Sequence, residues 1–166
     1  MKALVVLVLL AGTASADGKL GWRIGGLRVP VGDHELATLA LGIGVEHAVH
    51  HDLRVWGEYD WLWVNGGAMG SPAFTGSGHH TALGIRHTLL AKTVLGGLRF
   101  YLDGELGGGV ALASEDPFGT VLVPHATAGL RGGYAVRGWE PELLVRAIVA
   151  EHGTGVQVGF GMMWGD

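Results

Sequence analysis

A chain of 166 residues has room for one domain, and the absence of cysteine excludes disulfides and any Cys-based metal or redox centre. A formal charge of −4, with only 16% of residues charged, leaves no basic surface for nucleic acid and is low for a water-soluble domain. Glycine, at 31 residues, is far above its usual share of roughly 7 per cent.

The chain opens with Met1-Lys2, an apolar run from Ala3 to Leu10, and Ala14-Ser15-Ala16. A positive start, a short apolar stretch and an A-x-A site in that order predict a signal peptide over residues 1–16. The stretch is too short to span a bilayer as a helix. The mature domain is then residues 17–166.

No later segment has the length of a membrane helix, and period-two alternation recurs instead. Leu20 to Val29 predicts a first strand, with Trp22 and Ile24 on one face. Leu27 and Val29 fall on the other, which a bulge at Gly25-Gly26 would explain. Leu36 to Glu46 places Ala37, Leu39, Leu41, Ile43 and Val45 opposite Thr38, Ala40, Gly42, Gly44 and Glu46. Leu53 to Trp63 places Leu53, Val55, Tyr59, Trp61 and Trp63 opposite Arg54, Trp56, Glu58 and Asp60.

Further along, His80–Leu89 and Val94–Leu102 both read as strands. Leu106, Val110 and Leu112 oppose Glu105, Gly107, Gly109 and Ala111. Ala126, Ala128, Leu130, Tyr134 and Val136 oppose His125, Thr127, Arg131 and Gly133. Leu143, Val145, Ala147 and Val149 oppose Glu142 and Arg146, and Val156, Val158, Phe160, Met162 and Trp164 oppose Gln157, Gly159 and Gly161.

One row of these strands is large and apolar, and the other is small or charged. A membrane barrel turns the apolar row to lipid and encloses the polar one. The enclosed row holds Glu46, Arg54, Glu58, Asp60, Arg86, Arg99, Glu105, Arg131, Glu142 and Arg146, whose mixed signs predict a lumen filled by ion pairs. Replacing Arg99 or Arg131 by Leu should then strand a buried partner. Tyr59, Trp61, Trp63 and Trp164 fit interfacial aromatic girdles.

The connections read as alternately long and short. Asn65–Gly78 and Glu115–Pro124 would be outer loops. His47–Asp52, Asp103-Gly104 and Arg137–Trp139 would be periplasmic turns, and Gly32–Glu35 is a short outer exception. By this count His80–Leu89 and Val94–Leu102 run in the same direction, so both cannot be separate full strands. Residues 80–102 would form one kinked strand, or one strand is spurious. The fold class expected is all-β: an antiparallel up-and-down transmembrane β-barrel of eight strands, with ten as the alternative.

These patterns resemble the small bacterial outer-membrane β-barrels of the OmpA/OmpX-like group. The resemblance rests on the export signal, the stretch from Leu36 through His50-His51-Asp52 to Trp63, the segment Gly97–Gly108 and the last strand, and it covers residues 18–166. It implies a barrel of the Gram-negative outer membrane, in contact with lipid and lipopolysaccharide, without a cofactor and monomeric. It also implies that Val156, Val158, Phe160, Met162 and Trp164 form the terminal signal read by the barrel-assembly machinery. Gly165-Asp166 after the aromatic departs from that pattern.

No catalytic constellation stands out. A lipid-facing hydrolase needs a nucleophile and base on one strand face, but no His-x-Ser occurs, and Ser71, Ser77 and Ser114 lie in or beside loops. Gly104–Gly109 lacks the Gly-Lys of a phosphate loop. His47, His50 and His51 share one turn, and His79-His80 end the long outer loop. Without a recognisable ligand spacing they are read as polar turn residues, and no metal site is assigned. The expected function is a non-enzymatic barrel with an envelope-structural or surface-interaction role. A narrow solute channel, a lipid A-modifying enzyme and a soluble exported barrel with an apolar ligand are the alternatives.

Overall fold

The computed structural model describes residues 18–31, 34–66, 74–115, 119–151 and 153–165. Residues 1–16, with the expected signal peptide, lie outside them. Eight antiparallel strands, β1 (Gly18–Val31), β2 (His34–His50), β3 (Leu53–Gly66), β4 (Phe74–Thr93), β5 (Arg99–Glu115), β6 (Gly119–Ala135), β7 (Trp139–Ala150) and β8 (Gly153–Trp164), close in sequence order into one barrel. Closure is made by β1 on β8, from Leu20 opposite Trp164 to Arg28 opposite Val156. It gives every strand a paired neighbour on both sides.

Polarity is inverted relative to a water-soluble barrel. Exposed outward positions carry Trp22, Ile24, Leu39, Leu41, Ile43, Leu106, Leu130, Val145, Val158 and Phe160, whereas Glu46, Asp60, Asp103, Arg131 and Arg146 are buried. Outward charges stand near strand ends, at Arg28 and Lys92.

Several sequence expectations are corrected. No bulge interrupts β1: the register against β2 runs continuously through Gly25, Gly26 and Leu27. Leu27 points inward and is buried because the barrel interior is itself apolar at that level. Asp103-Gly104 is no turn but lies within β5, where Asp103 faces inward against two arginines. The reversal falls instead at Val94–Leu98. There Gly96 and Gly97 take φ values of 83° and 79° and Val94 N–H donates to Leu98 O at 2.9 Å. Residues 80–102 are thus two strands, β4 and β5. Their directions alternate because the segments on either side of Asp103-Gly104 are one strand, β5, rather than two.

The turn after β2 is only His51-Asp52, and the connection between β5 and β6 is 116–118, outside the described residues, so Pro124 sits within β6. The connection between β3 and β4 is 67–73, shorter than expected and outside the described residues. The bulges that do occur displace Val49 in β2 and Leu89 in β4.

The β6–β7 hairpin turns on Arg137 (φ 48°) and Gly138 (φ 79°), closed by the Val136–Trp139 pair. Two positive φ values in a two-residue loop are the geometry favoured by Asn-Gly, and an L side chain other than Asn or Asp pays steric strain there. Arg137→Asn is expected to stabilise the barrel by about 0.5–1 kcal/mol, read as a higher urea midpoint in detergent.

Candidate functional site

The interior is a continuous network of buried charge. At the end of the barrel that carries turns 51–52 and 94–98, Lys19 Nζ lies 2.5 Å from Glu140 Oε1. Deeper in, Glu46 receives three guanidinium groups. Arg131 Nη1 donates to its Oε2 at 2.9 Å, Arg54 Nε lies 3.2 Å from Oε1, and Arg86 Nη1 is also bonded to it. Arg131 further contacts Glu142 at 2.7 Å and Asp103 at 3.3 Å.

Glu105 links Arg86, at 2.7 Å, to Arg146, at 2.5 Å. Glu58 links Arg146, at 2.6 Å, to Arg23, at 2.8 Å. Arg23 Nη2 then donates to both oxygens of Asp60, at 2.9 and 3.1 Å. Away from water each of these charges needs a partner, and alternation of sign along the chain of contacts supplies one.

Backbone glycines shape the space for this network. Trp56 faces inward, buried, beneath Arg146 and Arg86, whose Cζ atoms stand 4.4 and 5.7 Å from its ring. A Cβ at Gly107 or Gly84 would come within 2.6 or 2.8 Å of that indole. Trp56 Nε1 donates to Ile85 O at 3.1 Å, so its polar atom is satisfied. Gly42 gives way similarly to Asp60, and Gly159 to Arg23. The room left by inward glycines is therefore filled by side chains. The void beside Trp56 measures about 20 Å³, enough for about one water molecule.

Above Asp60 the polarity changes. His80 and His125 are buried side by side, and Gln157 closes the layer by accepting from Arg146 Nη1 at 3.0 Å. Beyond them Leu27, Ala40, Leu62, Ala111, Val123 and Ile148 form an apolar layer across the far end of the lumen. At the opposite end the interior widens into a cavity of about 310 Å³ lined by Lys19, Glu46, Arg54, Arg99 and Glu140.

Nine of the ten ionisable residues placed on the enclosed row, all but Arg99, enter the ion-pair network. Arg99 is half-buried at the cavity mouth and makes no ion pair among the described residues, so Arg99→Leu strands no partner. Sequence reasoning missed Arg23, Lys19 and Glu140 on the irregular first strand and the turn-proximal seventh. It also missed Asp103, read as a turn residue, and His80, placed at the start of a strand but read as a polar residue ending the outer loop.

Outward aromatics gather toward both ends. Trp61 and Trp63 lie parallel with centroids 5.9 Å apart, and Tyr59 Oη is hydrogen-bonded to His79 Nδ1 at 2.6 Å. At the other end Trp164 meets Trp139 at 6.3 Å, and Phe100 meets Tyr134 at 6.2 Å. Ser77 and His79 prove to share the exposed outward face of β4, but Nδ1 of His79 is engaged by Tyr59 rather than by a serine. Val156, Val158, Phe160, Met162 and Trp164 all lie on the outward row of β8, with Met162 half-buried.

No protein-family model matches this sequence, and no curated protein matches it at a significant level. Solved structures do resemble the barrel. Neisserial surface protein A superposes with a TM-score of 0.62 at 9% identity, over 90% of this chain and 97% of that one. The fold is that of the small outer-membrane β-barrels. The attachment invasion locus protein Ail of Yersinia pestis, in complex with the heparin analogue sucrose octasulfate, matches at 14% identity and a TM-score of 0.49, over 89% of this chain and 98% of that one. The N-terminal barrel domain of Pseudomonas aeruginosa OprF matches at 13% identity and 0.48, over 88% and 96%.

Proposed function

We propose that this protein is a non-enzymatic barrel of the bacterial outer membrane, exported by its N-terminal segment, with an envelope-structural or surface-interaction role. The carrying observation is the inverted polarity: an uninterrupted apolar outer band between two aromatic zones, around a lumen closed by ion pairs and an apolar layer. In water such a band would cost the free energy of tens of exposed apolar side chains, whereas acyl chains solvate it. Eight strands enclose an interior that side chains fill, which argues for a scaffold over a conduit. The outward face holds no serine or threonine hydroxyl bonded to a base among the described residues, which argues against a serine-type lipid hydrolase.

In this reading the turns at 51–52, 94–98 and 137–138 face the periplasm, and the connections at 32–33, 67–73, 116–118 and 151–152 face outward and carry any surface contact. The aromatic pairs lie at the headgroup levels, and the outward row of β8 serves as the assembly signal. Lipopolysaccharide is the expected outer-leaflet neighbour.

The test is heat modifiability of the outer-membrane fraction. The protein is expected in that fraction, migrating differently in unboiled and boiled samples on a detergent gel. Recovery as a folded, monodisperse protein in plain buffer would overturn the proposal.

A further inference from the structure

The geometry points to a buried binding site for a first-row divalent metal ion, Zn²⁺ or Cu²⁺, held between Nε2 of His80 and Nε2 of His125. The two nitrogens are 3.1 Å apart, while the ring centroids are 5.0 Å apart with planes inclined by 21°. The rings therefore meet nitrogen edge to nitrogen edge. Two imidazoles bound at about 2.0–2.1 Å to one ion hold their nitrogens about 2.8–3.0 Å apart in square geometry and about 3.3–3.4 Å apart in tetrahedral geometry. The observed separation lies between those two ranges, within about 0.3 Å of either, so no movement of the strands is needed.

The opposite edges of both rings are prepared in the way ligating histidines require. A metal-bound imidazole donates its other N–H to a carboxylate or a backbone carbonyl, which fixes the tautomer and the ring plane. His80 Nδ1 lies 2.7 Å from Asp60 Oδ2, and His125 Nδ1 lies 3.2 Å from Val123 O. A carbonyl can only accept, so Nδ1 of His125 carries the hydrogen and its Nε2 presents a lone pair. An ionised Asp60 assigns the hydrogen of His80 to Nδ1 in the same way. With both Nδ1 atoms protonated, two Nε2 lone pairs face each other. That arrangement is repulsive unless a hydrogen carried by one ring as a second N–H, or a metal ion, joins the two nitrogens, and their separation suits either.

The strand packing is built for this approach. β5 runs between β4 and β6, and its inward residues here are Gly109, opposite His125, and Ala111, opposite His80. Small side chains on β5 let the two rings meet across it. A Cβ at Gly109 would lie 2.3 Å from Thr81 O.

Glu58, Asp60 and Nδ1 of His80 also converge as a three-ligand set, but that position is taken by a protein cation. Arg23 already bonds both carboxylates there. The ion is therefore assigned to the other edge of His80. Imidazole donors suit zinc and copper, with Cu²⁺ the tighter of the two.

The experiment uses the detergent-folded barrel, stripped with chelator and titrated with CuSO₄ while the copper EPR spectrum is recorded, then with ZnCl₂ while thermal unfolding is followed. One equivalent of Cu²⁺ is expected to bind, with nitrogen coupling from two imidazoles, and Zn²⁺ is expected to raise the melting temperature. Exposed His50 and His51 form an adjacent pair at the barrel end, so the titration is repeated in a His50→Gln/His51→Gln variant, which should still bind one equivalent.

His125→Gln, which leaves the Asp60–His80 contact in place, should weaken binding by at least ~100-fold, beyond the ~10–100-fold that losing an outer-shell partner costs. His80→Gln is the second variant should His125→Gln fail to fold. Absence of saturable binding in the His50/His51 variant, or a copper spectrum unchanged by His125→Gln, overturns the assignment.

Discussion

Arg146→Leu is expected to destabilise the folded barrel by about 3–5 kcal/mol, the largest effect of any single lumen substitution. Arg146 is fully buried and holds Glu105, Glu58 and Gln157 at 2.5, 2.6 and 3.0 Å, with its Cζ 4.4 Å from the Trp56 ring. Leucine fills part of the space but supplies no donor. Glu105 then keeps only Arg86 and Glu58 keeps Arg23, so the middle of the network carries excess negative charge in a medium that screens it poorly.

Adding Glu105→Gln to Arg146→Leu removes one of the stranded charges. The pair should recover at least ~1 kcal/mol relative to the sum of the single changes. Arg99→Leu serves as the internal control, at the half-open mouth and without an ion pair, and should stay within about 0.5 kcal/mol of the parent. The measurement is urea-induced unfolding of the detergent-folded protein. An Arg146→Leu midpoint equal to that of Arg99→Leu would mean that water reaches the network freely.

Leu106→Arg is expected to cost about 2–4 kcal/mol when the barrel folds into phospholipid bilayers, whereas Leu122→Arg should cost only about 0–1. Both leucines are highly exposed, at 59% and 61%. They differ in position: Leu106 is near the middle of β5, and Leu122 is the fourth residue of β6. In water an exposed leucine tolerates arginine at either place. In a membrane the penalty depends on depth, because a guanidinium at the midplane cannot reach headgroups. Equal and negligible costs would contradict the membrane reading and leave the ion-pair prediction untouched.

The alternation that specifies the strands was legible wherever one face was uniformly apolar. β3 and β8 are such cases: Trp61, Trp63, Val156 and Val158 all stand outward as the period implies. Legibility failed where the enclosed row changed its chemistry. Leu27 inverts the polarity of β1 without inverting its register, because the interior at that level is an apolar layer rather than an ionic one. A sequence shows only the change of polarity, which imitates a bulge.

Asp103-Gly104 failed for a related reason. Aspartate before glycine is a strong hairpin signal, yet here the carboxylate is a lumen charge facing Arg131, and Gly104 leaves room for Leu89 on the outer face. The true reversal was written in Gly96-Gly97, whose positive φ values only glycine adopts without strain.

The pairing of His80 with His125 was invisible for a third reason. The residues are far apart in sequence and on non-adjacent strands, and their meeting depends on Gly109 and Ala111 between them. Signs of charge along an alternating row could be read, but which guanidinium meets which carboxylate follows from register and shear.

The apolar layer makes the molecule a cup rather than a pipe. Solvent rising from the wide mouth near Arg99 can wet the first arginines, but it ends at a stopper of Leu27, Leu62, Val123 and Ile148. On the proposed reading of a closed scaffold, a voltage or a concentration difference applied across the two rims finds no column of liquid to act on, and a solute crossing here would first have to dislodge that stopper.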